Sequence, residues 1–221
     1  MSSRANFIKK NCELLPGPLV AEILLYQATE TKPLWHLAQE QLARQGLEEP
    51  YWAFAWAGGQ ALARYLLDNP NIVAGKTVLS FACGAGGEAI AAKRAGASRV
   101  IAADIDPFAR AAATLNTSAN KVELEFEAAN LLLSAPPTVD VILVGDVFYD
   151  NTIAKRLWPW LLQAIADQST VLIGDPGRAY LPREELLTIA SYHLDETSLF
   201  EDSDLRTATV WRMQEDTLAL A

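Results

Sequence analysis

The chain has 221 residues, 51% of them hydrophobic and 20% charged, with a formal net charge of −9; this is enough for one large folded domain and excludes a disordered chain. The acidic balance argues against a nucleic-acid backbone as main partner, since phosphate binding needs clustered Lys and Arg, and it is compatible with a basic partner such as a protein lysine. No apolar run reaches the ~18 residues that would span a bilayer, and Cys12, Cys83, His36 and His193 form neither a disulfide framework nor a zinc site.

Met1–Lys10 is polar and basic, with no apolar stretch after it to act as a signal peptide, so a cytoplasmic location is expected. Residues 12 to 50 suggest helices separated by Pro16, Pro18, Pro33 and Pro50. Leu34, Leu37, Gln41 and Leu42 have near-helical spacing, with Thr31 placed to cap them. A turn-rich patch leads to a helix from Gln60 to Leu67, closed by Asp68-Asn69-Pro70.

From Thr77 strands and helices alternate. Thr77–Phe81 is a short buried strand and Gly87 to Ala95 an Ala-rich helix stopped by Gly96. Arg99–Ala103 is a second strand, and Pro107–Asn120 a helix with Pro in its first turn. Strands follow at Val122 to Phe126, Val139 to Val144 and Thr170 to Ile173. Helices are expected over Thr152 to Ala166, bent at Pro159, and over Pro182 to Ala190. Two strand-like segments, His193 to Leu199 and Leu205 to Met213, flank the acidic turn Glu201-Asp202-Ser203-Asp204 and suggest an antiparallel edge. The alternation implies an α/β fold: a Rossmann-like, mostly parallel sheet with helices on both faces.

The segment Val78-Leu79-Ser80-Phe81-Ala82-Cys83-Gly84-Ala85-Gly86-Gly87 carries the main chemical signal. A buried strand runs through small residues into a helix, so the backbone can turn tightly and aim helix N–H groups at a ligand. Asp104 stands 20 positions after Gly84, at the end of the second strand, where an acid accepts hydrogen bonds from ribose hydroxyls. Gly84-Ala85-Gly86-Gly87-Glu88-Ala89 also matches a relaxed dinucleotide fingerprint. Phase weighs against that alternative, because Ala82 and Cys83 intervene between strand and glycine.

Pro50-Tyr51-Trp52-Ala53-Phe54-Ala55-Trp56-Ala57-Gly58-Gly59-Gln60-Ala61-Leu62-Ala63, the glycine loop, Ala103-Asp104-Ile105-Asp106-Pro107 and Gly145-Asp146-Val147-Phe148-Tyr149 together resemble the seven-β-strand class I S-adenosylmethionine-dependent protein methyltransferases. Within them the chain is most similar to the lysine methyltransferases of the electron transfer flavoprotein beta subunit and their bacterial relatives. The resemblance runs from about Pro16 to Met213. It implies a seven-stranded methyltransferase domain over 56–221, with an antiparallel C-terminal edge strand and an N-terminal helical extension over 1–55.

The resemblance also implies roles. Trp56, Gly58 and Gln60 would border S-adenosyl-L-methionine, Gly84 and Gly86 would face its methionine end, and Asp104 with Ile105 would hold the ribose side. Asn130 stands where an acid often meets the adenine amine, and Asp146 and Tyr149 would lie beside the transferred methyl. Asp175 and Arg178 would line the neighbouring strand end. Ser80 and Ala82 also belong to the cofactor loop but depart from the family's pattern: Ser80 replaces an acid that helps hold the methionine moiety, and Ala82 replaces a glycine. Weaker cofactor binding, or another residue taking that contact, is the expected consequence.

The implied acceptor is a protein lysine, on the electron transfer flavoprotein beta subunit or a ribosomal protein, with neither nucleic acid nor membrane as partner. A small-amine methyltransferase and a catalytically weak nucleotide-binding module remain as alternatives. Duller readings also stand: a half-buried strand for Trp52, Phe54 and Trp56, a helix cap for Asp146, and a turn with an ion pair for Asp175 and Arg178.

Overall fold

The computed structural model describes residues 3–29, 31, 34, 49–194 and 207–213. Its centre is a seven-stranded sheet made of β3 (Thr77–Phe81), β4 (Arg99–Ala103), β5 (Glu125–Glu127), β6 (Val141–Gly145), β7 (Thr170–Asp175), β8 (Leu186–His193) and β9 (Thr207–Met213), in the order β5-β4-β3-β6-β7-β9-β8. The pairs from β5 to β7 are parallel, whereas β9 runs antiparallel between β7 and β8. The C-terminal pair therefore closes the edge, with the last strand slotted one place inside it.

Alternation along each strand feeds two cores. Val78, Val100, Val141, Leu143 and Leu172 pack with Leu62, Leu66, Ala89 and Ala92 from α2 (Ala57–Asp68) and α3 (Gly87–Arg94). Leu79, Ile142, Val144, Val171 and Ile173 pack with Leu157, Trp160 and Leu161 from α5 (Asn151–Ala166). Burial on both faces explains why these strands are apolar throughout. A third cluster sets Ile8 of α1 (Ser3–Asn11), together with Trp52, on Ala109 and Ala112 of α4 (Pro107–Asn120).

Three segments differ from the sequence expectation. Within 12 to 50, Glu13–Gly17 (β1) and Val20–Gln27 (β2) form an antiparallel hairpin rather than helices. Pro16 does not break a helix there; it lies at the end of β1, where the register shifts. The outer edge of β2 is satisfied by α4, because the N–H groups of Leu24 and Tyr26 donate to Asn120 Oδ1 and Asn116 Oδ1 at 3.0 and 2.8 Å. Such long-range partners override local pattern.

Pro182 to Ala190 is not a helix either. Arg183–Glu185 makes one 3₁₀ turn and Leu186 begins β8, which pairs with β9 across a bulge at Thr188/Ala190. Nor do Trp52, Phe54 and Trp56 lie on a strand: Tyr51–Ala53 is a 3₁₀ turn, and Trp56 is the N-cap of α2. The helix expected over Leu34 to Leu42 falls outside the described residues beyond Leu34, as do the acidic turn at 201–204 and residues 195–199.

The sheet order reverses at β3, which pairs with β4 on one side and β6 on the other. In an open parallel sheet a crevice opens at the carboxyl ends of the strands where the order reverses. Val20, Ile23 and Leu25 of the hairpin roof that crevice, packing on Ala63, Ala85, Ile90 and Ala91.

Candidate functional site

The crevice is a cleft of about 540 Å³, its open mouth included. Its floor is the loop from β3 to α3. Ala82, Gly84 and Gly86 all have left-handed backbone, with φ of 51°, 50° and 79°. Ala82 adopts this conformation against its preference, which costs about 1–2 kcal/mol. Gly84 faces open space, since a Cβ placed on it would meet nothing within 4 Å. At the end of β4, Asp104 accepts from the Gly84 N–H through Oδ2 and from the Asp106 N–H through Oδ1, both at 2.9 Å. Burial pushes its carboxyl up and the two N–H groups pull it back. Ile105 beside it is 67% exposed.

Asp146 follows β6 in left-handed conformation, with φ of 57°. Its N–H donates to the Gly174 carbonyl at 2.9 Å. Oδ2 accepts from the Gly59 N–H at 2.8 Å, and Oδ1 accepts from Arg178 Nη2 at 2.8 Å and Nε at 3.3 Å. Asp146 therefore caps a helix, but not the one that follows it. It serves α2, whose own N-cap, Trp56, contributes no side-chain acceptor, while Asp150 caps α5 by accepting from the Ile153 N–H. Burial raises the Asp146 carboxyl; Arg178 and the N–H groups of Gly58 and Gly59 oppose that rise.

This approach of helix to strand ends depends on glycine. A Cβ on Gly58 would collide with the Gly174 carbonyl, and one on Gly145 would stand 3.1 Å from Gly59 Cα. Arg178 also lies over the Trp56 ring, 5.5 Å from its centroid. Tyr51 stands 6.1 Å from Trp56 and 5.4 Å from Tyr149. Asp175 turns its Oδ1 to the N–H groups of Gly177 and Arg178, both at 2.6 Å. Burial lifts its carboxyl to about 6. Its partner for a turn is thus the backbone, and the arginine's ion pair goes to Asp146.

One acid escaped the sequence reading. Glu88, in the first turn of α3, is 5% exposed and lines the cleft. The fully buried Ser80 donates its hydroxyl to Glu88 Oε1 at 2.7 Å. Burial raises the Glu88 carboxyl to about 7, and the carboxylates of Asp146 and Asp104 add to the rise. The signal lay in two positions read together, an acid lost at Ser80 and another gained in an otherwise small and apolar helix start.

Of the residues singled out in the sequence, Trp56, Gln60, Ala82, Gly84 and Asp146 line the cleft. Gln60 is occupied by the chain itself, accepting from the Leu19 N–H and donating to the Ala55 carbonyl. Ser80, Gly58 and Gly86 stand behind the lining, and Asp104 reaches it through Gly84. Tyr149 is exposed and does not line the cleft; the Tyr51 ring links it to Trp56. Asn130 is exposed and accepts from the Leu132 N–H at 3.1 Å, which caps the 3₁₀ turn Leu131–Leu133 outside the cleft. Cys83 is buried and its thiol is pushed well up by burial, as suits a small filler rather than a nucleophile.

A family model described as ribosomal protein L11 methyltransferase (PrmA) matches residues 60–172. The electron transfer flavoprotein beta subunit lysine methyltransferase of Xenopus laevis is 42% identical over 215 residues, covering 95% of this chain and 86% of the relative. The chain belongs to the class I S-adenosylmethionine-dependent methyltransferases. The human protein of the same name is 41% identical to this methyltransferase over 215 residues, covering 94% of the chain and 81% of the relative. In fold the methyltransferase is similar to the N-methyltransferase NodS of Bradyrhizobium japonicum WM9, solved with S-adenosyl-L-homocysteine. The TM-score is 0.52 at 16% identity, over 79% of this chain and 96% of that one.

Proposed function

We propose that this methyltransferase modifies lysine side chains of a protein, with the electron transfer flavoprotein beta subunit as the first acceptor to try and a ribosomal protein as the second. The names of the relatives support the acceptor. The observation that carries the chemistry is the meeting of two buried carboxylates, Glu88 and Asp146, on one glycine-floored cleft, with the half-buried Asp104 held behind Gly84; burial raises all three. Such a site suits a ligand with positive charge and repels a pyrophosphate, so a sulfonium cofactor with an ammonium group fits and a dinucleotide does not.

In this reading Gly84 and Gly86 face the methionine end, with Ser80 and Ala82 shaping the same loop. Asp104 and Ile105 hold the ribose side, and Trp56, Gly58 and Gln60 form the wall from α2. Bound there, S-adenosylmethionine supplies an electrophilic methyl group. The protein's own task is alignment and exclusion of water. A lysine amine has a pKa of ~10.4 and must shed a proton to attack. A carboxylate alone would favour the ammonium, so Asp146 captures and aims the amine while the proton leaves to water. Tyr149 offers it a second hydrogen bond, and Tyr51, Trp56 and Tyr149 keep the mouth dry.

In this reading the chain divides into an extension over 1–55 and a domain over 56–221, with the hairpin Glu13–Gln27 over the cleft on the side that meets the acceptor protein. We read the enzyme as cytoplasmic, with neither nucleic acid nor membrane as partner; among the described residues no helix is long and apolar enough to cross a membrane.

The test is to incubate the protein with methyl-labelled cofactor and the flavoprotein beta subunit, then map the label by mass spectrometry. Label on lysine is expected, and Asp146→Asn should lower transfer at least ~100-fold while retaining cofactor binding. Label confined to small amines, or undiminished transfer by Asp146→Asn, would contradict the reading.

A further inference from the structure

The end of β3 lacks the acid that the resemblance implies, and the side chain in its place makes one hydrogen bond, to an acid arriving from another element. Ser80 is fully buried and its hydroxyl reaches Glu88 Oε1 at 2.7 Å. We propose that Glu88 replaces the missing strand acid: its carboxylate, positioned by Ser80, binds the α-ammonium group of the cofactor's methionine moiety. The inference rests on the cofactor reading above and deepens it.

Three observations carry the assignment. A glutamate in the first turn of a helix ordinarily points to water, where it complements the helix dipole. Glu88 instead turns inward and lines the cleft beside Cys83, Gly84 and Asp146. Second, a Cβ built on Gly59 would stand 3.4 Å from Glu88 Oε2, so the carboxylate reaches from the floor into contact with the start of α2.

Third, the charges around it leave a cation wanting. The titratable groups facing Glu88 are the Asp146 and Asp104 carboxylates and the Cys83 thiol. From α2 the cleft wall adds neutral Gln60, and from the hairpin apolar Val20, Ile23 and Leu25. Arg178 is already engaged by Asp146. A buried carboxylate in such company is poorly stabilised until a cation enters. Ser80 alone is too short and carries no charge; together the two side chains supply a hydroxyl-oriented anion at the strand end.

Titration calorimetry on the full chain tests this with two probes, S-adenosylhomocysteine and 5′-methylthioadenosine, which shares the adenosine and sulfur but has no amino-acid part. Glu88→Gln should weaken S-adenosylhomocysteine about tenfold or more and leave methylthioadenosine unchanged. Near pH 7 the unaltered chain should release protons on binding S-adenosylhomocysteine, seen as a heat that depends on the buffer, and E88Q should lose that dependence. Ser80→Asp combined with Glu88→Ala should recover most of the affinity. Equal loss of both ligands in E88Q, or no loss of either, would overturn the assignment. If neither ligand binds the unaltered chain, the cofactor reading fails and this assignment falls with it.

Discussion

Burial lifts Glu88 from the 4.5 of a solvated carboxyl to about 7, so between those values the folded chain holds a proton that the unfolded chain has released. Folding stability therefore falls as pH rises through that window, and the full cost is present above about 7. Without ligand, Glu88→Gln should melt higher than the unaltered chain at pH 8, by roughly 3 °C or more, and the gain should shrink toward pH 5. Thermal melts at the two pH values check this; an equal or lower melting temperature at pH 8 would mean that Glu88 supports the fold rather than the ligand. Asp146 illustrates what one sequence can and cannot reveal about a residue. Its place after a central strand is legible, but its partners are not: Gly59 is 87 positions away and Arg178 is 32. Asn130 shows the opposite case, because its turn chemistry is local and could have been read as a cap before a run of leucines.

Helix α2 is anchored at its start by contacts that leave no room for a side chain. Gly58 lies against the Gly174 carbonyl, and Asp146 supplies the acceptor that the helix's own N-cap lacks. Gly58→Ala should force α2 away from β7, lowering stability by about 3 kcal/mol and displacing Asp146; denaturant unfolding measures the first effect. Stability within error of the unaltered chain would show that the helix start can shift freely. The glycines of this segment are visible in the sequence, yet their purpose is close backbone approach, which no local pattern encodes. The hairpin Glu13–Gln27 is illegible for a related reason: its strands pair with each other and dock on Asn116 and Asn120 of α4, some 90 residues downstream. Likewise β8 exists because β9, which begins 14 positions after β8 ends, pairs with it. The parallel strands of the centre are easier, since burial on both faces writes itself as an apolar run.

At the scale of the molecule, the alternation of strands and helices from Thr77 onward gives the sheet, and the sheet's order reversal at β3 gives the location of the cleft. The floor of that cleft, with Gly84 and Asp104, follows from spacing. Its roof, the β1–β2 hairpin, and its second acid, Glu88, arise only when distant segments meet. The resulting enclosure sets two acids, Glu88 and Asp146, among apolar side chains, which favours a cationic ligand over a phosphate. Thermal unfolding of the ligand-free chain with S-adenosylhomocysteine and, separately, with NAD measures that preference directly. S-adenosylhomocysteine at 100 times its Kd should stabilise the protein by about 2.7 kcal/mol, a rise of roughly 5–10 °C, with NAD leaving the midpoint unmoved; a rise with NAD and none with S-adenosylhomocysteine would contradict the account.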